Sequence, residues 1–341
     1  MFGIAKQSGV TSPRQINNLT TRECNMRPIT ICIHSDGNVE ALNLTVASLS
    51  VALSSDVHPA TNVKVIDRSV AGMPEAAVAT MLRNNTFVDS YYRVPGSGLA
   101  CNYDWAIRSA KHQHVLSVDE GVTVDSRMVS RLARFYDQFP LFNGLMHGVL
   151  CDTAWQPIGT TVLPDWVGPH FGMLDLDTEL VDATAEMKRI PMGDFRLFAV
   201  RRDAWLGFAN GIYGSHGLAG PIHEKYRLFG QHTWCIPFMR WQSSLNQMTT
   251  VTSPDADAER MNNIFCGFYE VGMASRDVLM HFMQLYNSTG VGLRMPQDVY
   301  FRVNEPTKAL PRPMFRLPRD YAPFMGYTIG YHQPLPTAVT T

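Results

Sequence analysis

The sequence has no CxxC pair, no surplus of basic charge and no apolar run of bilayer length, and each absence removes a class of function. Its six cysteines (Cys24, Cys32, Cys101, Cys151, Cys235 and Cys266) are scattered, a spacing that fits neither a zinc site nor a disulfide framework. Several sit inside apolar runs such as ITICI and TWCIPF, where free Cys behaves as a small buried hydrophobe, in keeping with a reducing compartment. Lys and Arg number 29 against 30 Asp and Glu, a net charge of −1. Nothing is left over to neutralise a run of phosphates, so the expectation is no nucleic acid as main ligand. The longest apolar stretches, Val46 to Leu53 among them, are too short to span a bilayer, and the opening MFGIAKQSGVTSPRQ has no apolar core of signal-peptide length. The expectation is a cytoplasmic chain with no membrane contact. Several catalytic signatures are missing as well. His223-Glu224 starts an HExxH pattern, but Arg227 stands where the second His belongs. No G-x-S-x-G elbow or Walker loop occurs, Gly96-Ser97-Gly98 is too short for a dinucleotide fingerprint, and there is no internal repeat.

What is present is an alternation of short β-branched runs with helical spacing. Ile29–His34 reads as a buried strand, Asp36-Gly37-Asn38 breaks it, and Val39–Leu53 carries helical apolar spacing. Strands follow at Val63–Ile66 and Phe87–Tyr92. A helix is predicted over Leu99–Ala110, a strand over His114–Val118 and a helix over Ser126–Gln138. The second half is less regular. Trp155–Thr178 reads as long loops, Phe195–Val200 as a strand, Gly211–Gly220 as a glycine-rich loop, Ile222–Phe229 as a helix and Thr233–Ile236 as a strand. Further helices are predicted over Ala256–Gly272 and Arg276–Tyr286. Residues 1–27 and the Pro-rich 303–341 lack periodicity and read as arms outside the core. That divides the chain into an arm over 1–27, a domain over 28–275, a helical extension over 276–302 and a second arm over 303–341. Alternating strands and helices imply an α/β fold, a mostly parallel Rossmann-like sheet flanked by helices.

In such sheets ligands bind beyond the carboxyl ends of the strands. Those ends read His34-Ser35-Asp36, Asp67-Arg68-Ser69 and Asp119-Glu120. Acidic residues at three strand ends suit a cleft for a polar ligand, although each alone also suits a turn or helix cap. The order of signals resembles the family-2-like glycosyltransferases with the A-type fold. The matching features are Asp67 in VKVIDRS, the Gly98-Leu99-Ala100-Cys101-Asn102 segment and VLSVDEGVTV. The segments IPMGDFRLFAVRRDAWLGF and IHEKYRLFGQHTWCIPFMRW are similar to a subgroup of these enzymes found in bacteria and their phages. The resemblance spans roughly residues 28 to 275 and is strongest between 190 and 241. It implies a nucleotide-sugar donor with Asp67 on the nucleobase. Asp119 and Glu120 would hold a divalent metal (manganese or magnesium) or the ribose, and His216 or Glu224 would assist the acceptor. Apart from the resemblance, Arg201 beside Arg202 suits either a pyrophosphate or a strand-end salt bridge.

A sugar diphosphate is anionic and its leaving group gains charge as the glycosidic bond breaks, so such enzymes place a metal and a carboxylate base around it. At all three places where the resemblance expects these groups, the sequence departs. Gly121 stands at the second aspartate of the metal motif, Leu218 and Ala219 fill the acidic pair, and Gln242-Ser243-Ser244 follows Trp241 where a His-Arg pair is usual. Two readings follow. One is a glycosyltransferase acting on a nucleotide sugar. The other is a scaffold without catalysis, serving as an assembly module whose arms order against partner subunits, for example as a virion component. If the 217–220 loop is exposed, acidic residues restored at 218 and 219 are expected to leave folding unharmed.

Overall fold

The computed structural model describes residues 26–54, 59–69, 71–94, 99–164, 174–177, 186–190, 192–208, 212, 217–244 and 263, with the backbone alone at 161–164, 174–177, 224 and 228. The first half alternates as the pattern requires: β1 (Ile29–Ser35), α1 (Val39–Leu53), β2 (Thr61–Asp67), α2 (Glu75–Asn84), β3 (Val88–Arg93), α3 (Leu99–Arg108) and β4 (His114–Asp119). There follow β5 (Val122–Val124), α4 (Met128–Gln138), β6 (Leu145–Cys151), β7 (Pro157–Gly159), β8 (Thr161–Pro164), β9 (Leu174–Asp177) and β10 (Lys188–Arg189). The last described elements are β11 (Leu197–Arg201), a 3-10 turn over Arg202–Ala204, α5 (Ala219–Leu228) and β12 (Thr233–Ser243). Asn38 caps α1, its side-chain oxygen accepting from the Ala41 N–H at 3.1 Å, which satisfies one of the orphan donors at the helix start.

The strands run β10-β12-β6-β11-β4-β1-β2-β3, with β5 on β12 and β7 on β6; β8 and β9 form a separate hairpin. β4, β1, β2 and β3 are mutually parallel, while β11 enters antiparallel between β4 and β6, so the sheet is mixed. Side chains alternate along each strand and feed two cores. Ile31, Ile33, Val63, Val65, Leu116 and Val118 join Leu42, Val46 and Leu49 of α1 and Leu132 of α4 on one face. Cys32, Ile66 and Val115 join Tyr103 and Ile107 of α3 and Ile222 and Tyr226 of α5 on the other. Each fully buried Ile, Leu or Val contributes roughly 1.5–3 kcal/mol, so two filled layers hold the strand ends at fixed positions. Among the described residues no helix is long and apolar enough to cross a membrane.

Several elements depart from the sequence expectation. The stretch read as long loops carries β7, β8 and β9, strands of three or four residues that are too short for a period-two pattern to register. α2 and β6 were not expected. α2 buries Met81 with Val78 and Leu82 only partly covered beside it, a short stripe, and β6 carries Gly148 in mid-strand. β12 extends well past Ile236, through Pro237, because its pairing to β6 shifts register between Cys235 and Arg240. An irregularity of this kind is where a strand tolerates a proline. Of the helices predicted over 256–272 and 276–286 only residue 263 is described, and both arms apart from residues 26 and 27 lie outside the described residues.

Gly148 sits opposite that register shift. A Cβ there would collide with the Met239 carbonyl oxygen and come within 2.8 Å of Leu197 and Trp241 side-chain atoms. Gly148→Ala is therefore expected to lower stability by about 2 kcal/mol. Thermal unfolding checks this, and an unchanged midpoint would contradict the β6–β12 packing described.

Candidate functional site

The alternation that builds the two cores also sorts the acidic strand ends. His34 and Asp119 are register partners at the ends of β1 and β4 and continue the face that carries Cys32 and Val115, toward α3. Tyr103 of α3, fully buried, donates its hydroxyl to Asp119 Oδ1 at 2.9 Å and stands edge-on to His34 with ring centroids 4.5 Å apart. Ser117 Oγ lies 3.0 Å from His34 Nε2. Burial raises the Asp119 carboxyl to about 7; Arg68 and the Tyr103 hydrogen bond oppose the rise, and Asp194 and Asp36 add to it. Asp119 is thus a partly buried carboxyl that changes charge near neutrality, a property common at functional sites.

Glu120 belongs to the opposite side. It leaves the strand in a turn and its Oε2 accepts from Ser35 Oγ at 2.6 Å. Its backbone N–H donates to the His34 carbonyl at 2.8 Å. Burial raises its pKa and the Ser35 bond works against that. The two neighbouring carboxylates therefore serve different partners. Gly121 takes φ +79°, a left-handed turn that glycine adopts without strain. Its carbonyl receives the Ser244 N–H at 2.8 Å and the Ser244 hydroxyl at 3.1 Å.

The end of β12 is thereby fastened to the end of β4, and the 192–196 segment closes the group. Arg196 clamps Asp194, with Nε 2.9 Å and Nη2 2.5 Å from Oδ2. It also donates from Nη1 to Ser243 Oγ at 3.2 Å, and its guanidinium lies 4.9 Å from the Trp241 ring centroid. The Arg196 carbonyl receives the Asp119 N–H at 2.9 Å. Sequence reasoning missed Tyr103, Asp194 and Arg196. Tyr103 sits in a helix where an aromatic reads as core, and Asp194 and Arg196 lie in a segment that carries the resemblance without a role for either.

The remaining predicted residues scatter. Asp67 is buried on the α1 and α2 side. Burial alone would raise its pKa, yet Ser69, Tyr91 and Met73 donors outweigh it and hold the carboxyl below the usual range. Its Oδ1 accepts the Ser69 N–H at 2.9 Å and hydroxyl at 2.5 Å, and its Oδ2 accepts the Tyr91 hydroxyl at 2.5 Å and the Met73 N–H at 3.1 Å. Of the two readings of Arg201, the strand-end salt bridge is the one present, with Asp203. β11 is antiparallel to β4, so Arg201 pairs with His114 at the start of that strand, at the opposite end of the sheet from Asp119. Its guanidinium holds Asp203 at 2.5 and 3.0 Å, and a pyrophosphate beyond the carboxyl ends lies out of its reach. Glu224 lies within α5. His216 falls outside the described residues. The 217–220 segment also departs from expectation. Leu218 and Ala219 are 5% and 6% exposed, and Leu218 packs with Ala100 and Ile212. Apolar residues there complete a core, where an exposed loop was expected.

The metal question rests on the donor set. Among the described residues no group of three His, Cys, Asp or Glu converges. Gln242 is spent on the Asp152 carbonyl, at 2.5 Å, and Ser243 on Arg196. Asp119 is the single carboxylate of the predicted pair on the α3 side. One carboxylate suits only an ion whose other ligands are waters and substrate phosphates.

No family model matches the chain, and no curated protein matches its sequence. Solved structures do match. A crystal structure of GalNAc-T7 with UDP, GalNAc and Mn2+ is similar at a TM-score of 0.58 and 15% identity, over 94% of this chain. The fold is that of the A-type glycosyltransferases. At that identity the likeness extends to the fold alone, and the match covers 62% of the GalNAc-T7 chain. A mannosyltransferase from Pyrobaculum calidifontis, in complex with GDP-Man and Mn2+, matches at TM-score 0.47 and 11% identity, over 81% of this chain and 79% of that one. Residues 1–349 of S. aureus TarS match at 0.45 and 11%, over 81% and 78%. Neither of these two adds to the fold assignment.

Two outcomes are expected of this A-type cleft. Leu218→Glu places a carboxylate in the Ala100–Ile212 cluster and lowers stability by roughly 3 kcal/mol; a melting temperature equal to that of the natural chain would show the segment to be exposed after all. The folded chain keeps the Asp119 proton to about 7, whereas an unfolded Asp releases it near about 3.9. Ionisation therefore costs stability as pH rises between those values. Asp119→Asn is expected to gain at least about 1 kcal/mol over the natural chain above pH ~7, a gain that vanishes below pH ~4. Denaturant titrations across that range check it.

Proposed function

We propose that this chain takes a nucleotide-sugar donor at the carboxyl ends of β1, β2 and β4 and transfers its sugar to an acceptor. The observation that carries the reading is Asp119. On an A-type scaffold it is the predicted metal-motif acid that faces α3, hydrogen-bonded by a buried tyrosine and poised to ionise near neutral pH. The UDP, GalNAc and Mn2+ held by the similar GalNAc-T7 structure are ligands of the chemistry such a cleft would take. In the reaction the bond from the anomeric carbon to the diphosphate breaks as the acceptor oxygen bonds to that carbon, and a base removes the acceptor proton. Asp67, proposed for the nucleobase side, would act by fixing Ser69 and Met73. Glu224 and His216 remain the residues proposed for the acceptor side. A manganese or magnesium ion, when bound, would supply positive charge to the diphosphate, with Asp119 as its protein carboxylate.

The second reading starts from the departures from the resemblance. Leu218 and Ala219 are built into the core where the resemblance expects acids, and Glu120 is bonded to Ser35. A scaffold that has lost catalysis would look like this, and its arms at 1–27 and 303–341 would then meet protein subunits of an assembly. Calorimetric titration with UDP and GDP, each with and without manganese, separates the two. Micromolar, manganese-dependent binding that Asp119→Ala abolishes is the result expected of the donor site. Absence of binding under every condition would overturn it in favour of the assembly reading.

A further inference from the structure

Two histidines that the cleft does not use meet inside the core. His147 on β6 and His223 on α5 are each 1% exposed, and their Nε2 atoms lie 3.1 Å apart. Their outer nitrogens are committed: His147 Nδ1 lies 2.9 Å from the Asp194 carbonyl oxygen, and His223 Nδ1 lies 2.6 Å from the Ala219 carbonyl oxygen. A carbonyl only accepts, so the hydrogen-bond network assigns a hydrogen to each Nδ1. His223 Nε2 also receives the Gly193 N–H at 3.2 Å, so it presents a lone pair to its neighbour. A neutral His147 would present a second lone pair to the first, inside a solvent-closed site where an unmade hydrogen bond is costly. One more proton removes the conflict. His147 as imidazolium donates from Nδ1 to Asp194 and from Nε2 to His223, and every ring nitrogen is satisfied.

We propose that His147 and His223 hold one shared proton in the folded chain, an imidazolium–imidazole clasp that fastens α5 to β6, and that its loss loosens the helix that begins at Ala219. The surroundings are built for the contact. A Cβ on Gly193 would run into the His147 ring, so glycine is what lets the segment approach. Phe195 packs 5.6 Å from His147 and 5.1 Å from His223, centroid to centroid, and Phe198 of β11 packs 6.1 Å from His147. The charged and titratable groups facing the pair are few. The Asp194 carboxylate, from the 192–196 segment and itself paired with Arg196, favours the cation. Cys235 is the register partner of His147 on β12; burial pushes its thiol up to about 12, so it stays neutral. On α5, Lys225 turns to the Gly207 carbonyl at 3.0 Å and the Tyr226 hydroxyl to the Ala204 carbonyl at 3.1 Å. Burial opposes charge on both rings, drawing His147 down to about 4, and His223 is lowered by burial and by His147. The shared hydrogen bond works against that pull. The clasp does not depend on the donor reading, since neither ring touches the cleft residues Asp119 and Tyr103.

The test uses the full chain with 15N-labelled histidine and long-range proton–nitrogen spectra between about pH 5.5 and 9. Three of the pair's four ring nitrogens are expected to be protonated at the acid end, with one proton leaving in a single step felt by both rings. Amide exchange in α5, corrected for its intrinsic pH dependence, should speed up about tenfold or more once that proton is gone. In His147→Gln, whose amide can donate to His223 Nε2 at any pH, α5 protection should not change with pH. Two neutral rings with both Nε2 atoms bare at about pH 5.5 would overturn the proposal, as would α5 protection indifferent to the titration. The natural chain's spectra decide the matter even if the variant does not fold.

Discussion

The arrangement depends on strand β4 being held between a parallel neighbour, β1, and an antiparallel one, β11. Pairing on both sides fixes its register and hence the face on which each side chain emerges. Val118 goes to the α1 side and Asp119 to the α3 side because successive residues alternate. Glu120, one position beyond the strand, turns back to Ser35. β11 contributes twice, since the Arg196 carbonyl that precedes it ties down the Asp119 N–H. A one-residue slip of β4 would bury Asp119 among Leu42 and Val46 and expose Val118 in its place. The cleft's chemistry follows from a register that two apolar layers enforce.

Much of this was legible in the sequence. β1, β2, β4, α1 and α4 announce themselves by β-branched runs and helical spacing, and the strand ends they create were located as His34-Ser35-Asp36, Asp67 and Asp119-Glu120. The illegible parts have physical causes. β6 carries Gly148 because β12 shifts register beside it, and the glycine that makes the packing feasible also disguises the strand. Arg201 stayed open between a phosphate and a strand-end salt bridge because its place depends on whether β11 runs parallel or antiparallel, which local sequence does not encode. Leu218 and Ala219 sit next to Gly217 and Gly220 and read as loop, but their apolar side chains were already the sign of a buried segment. Arg196 and Asp194 acquire meaning only when β12 brings Ser243 and Trp241 to them.

The cleft that results is acidic and economical in ligands. Asp119 faces Tyr103, Arg196 is neutralised by Asp194, Arg68 lies 2.5 Å from Asp36, and Asp67 is saturated by its own loop. A diphosphate entering here would have Arg93 at the end of β3 nearby, while Arg68 and Arg196 are already paired, so an ion arriving with it would take up much of its charge. That role makes manganese dependence a sharp discriminator between a donor site and a retained scaffold. The A-type fold alone is compatible with both, because a fold outlives its chemistry.

The most direct measurement is a crystal structure of the full chain grown with UDP and manganese. The diphosphate is expected beyond the carboxyl end of β4, on the α3 side, with Asp119 and not Glu120 turned toward the ion. Nucleotide bound elsewhere on the chain, or crystals that take up none at saturating concentration, would contradict it.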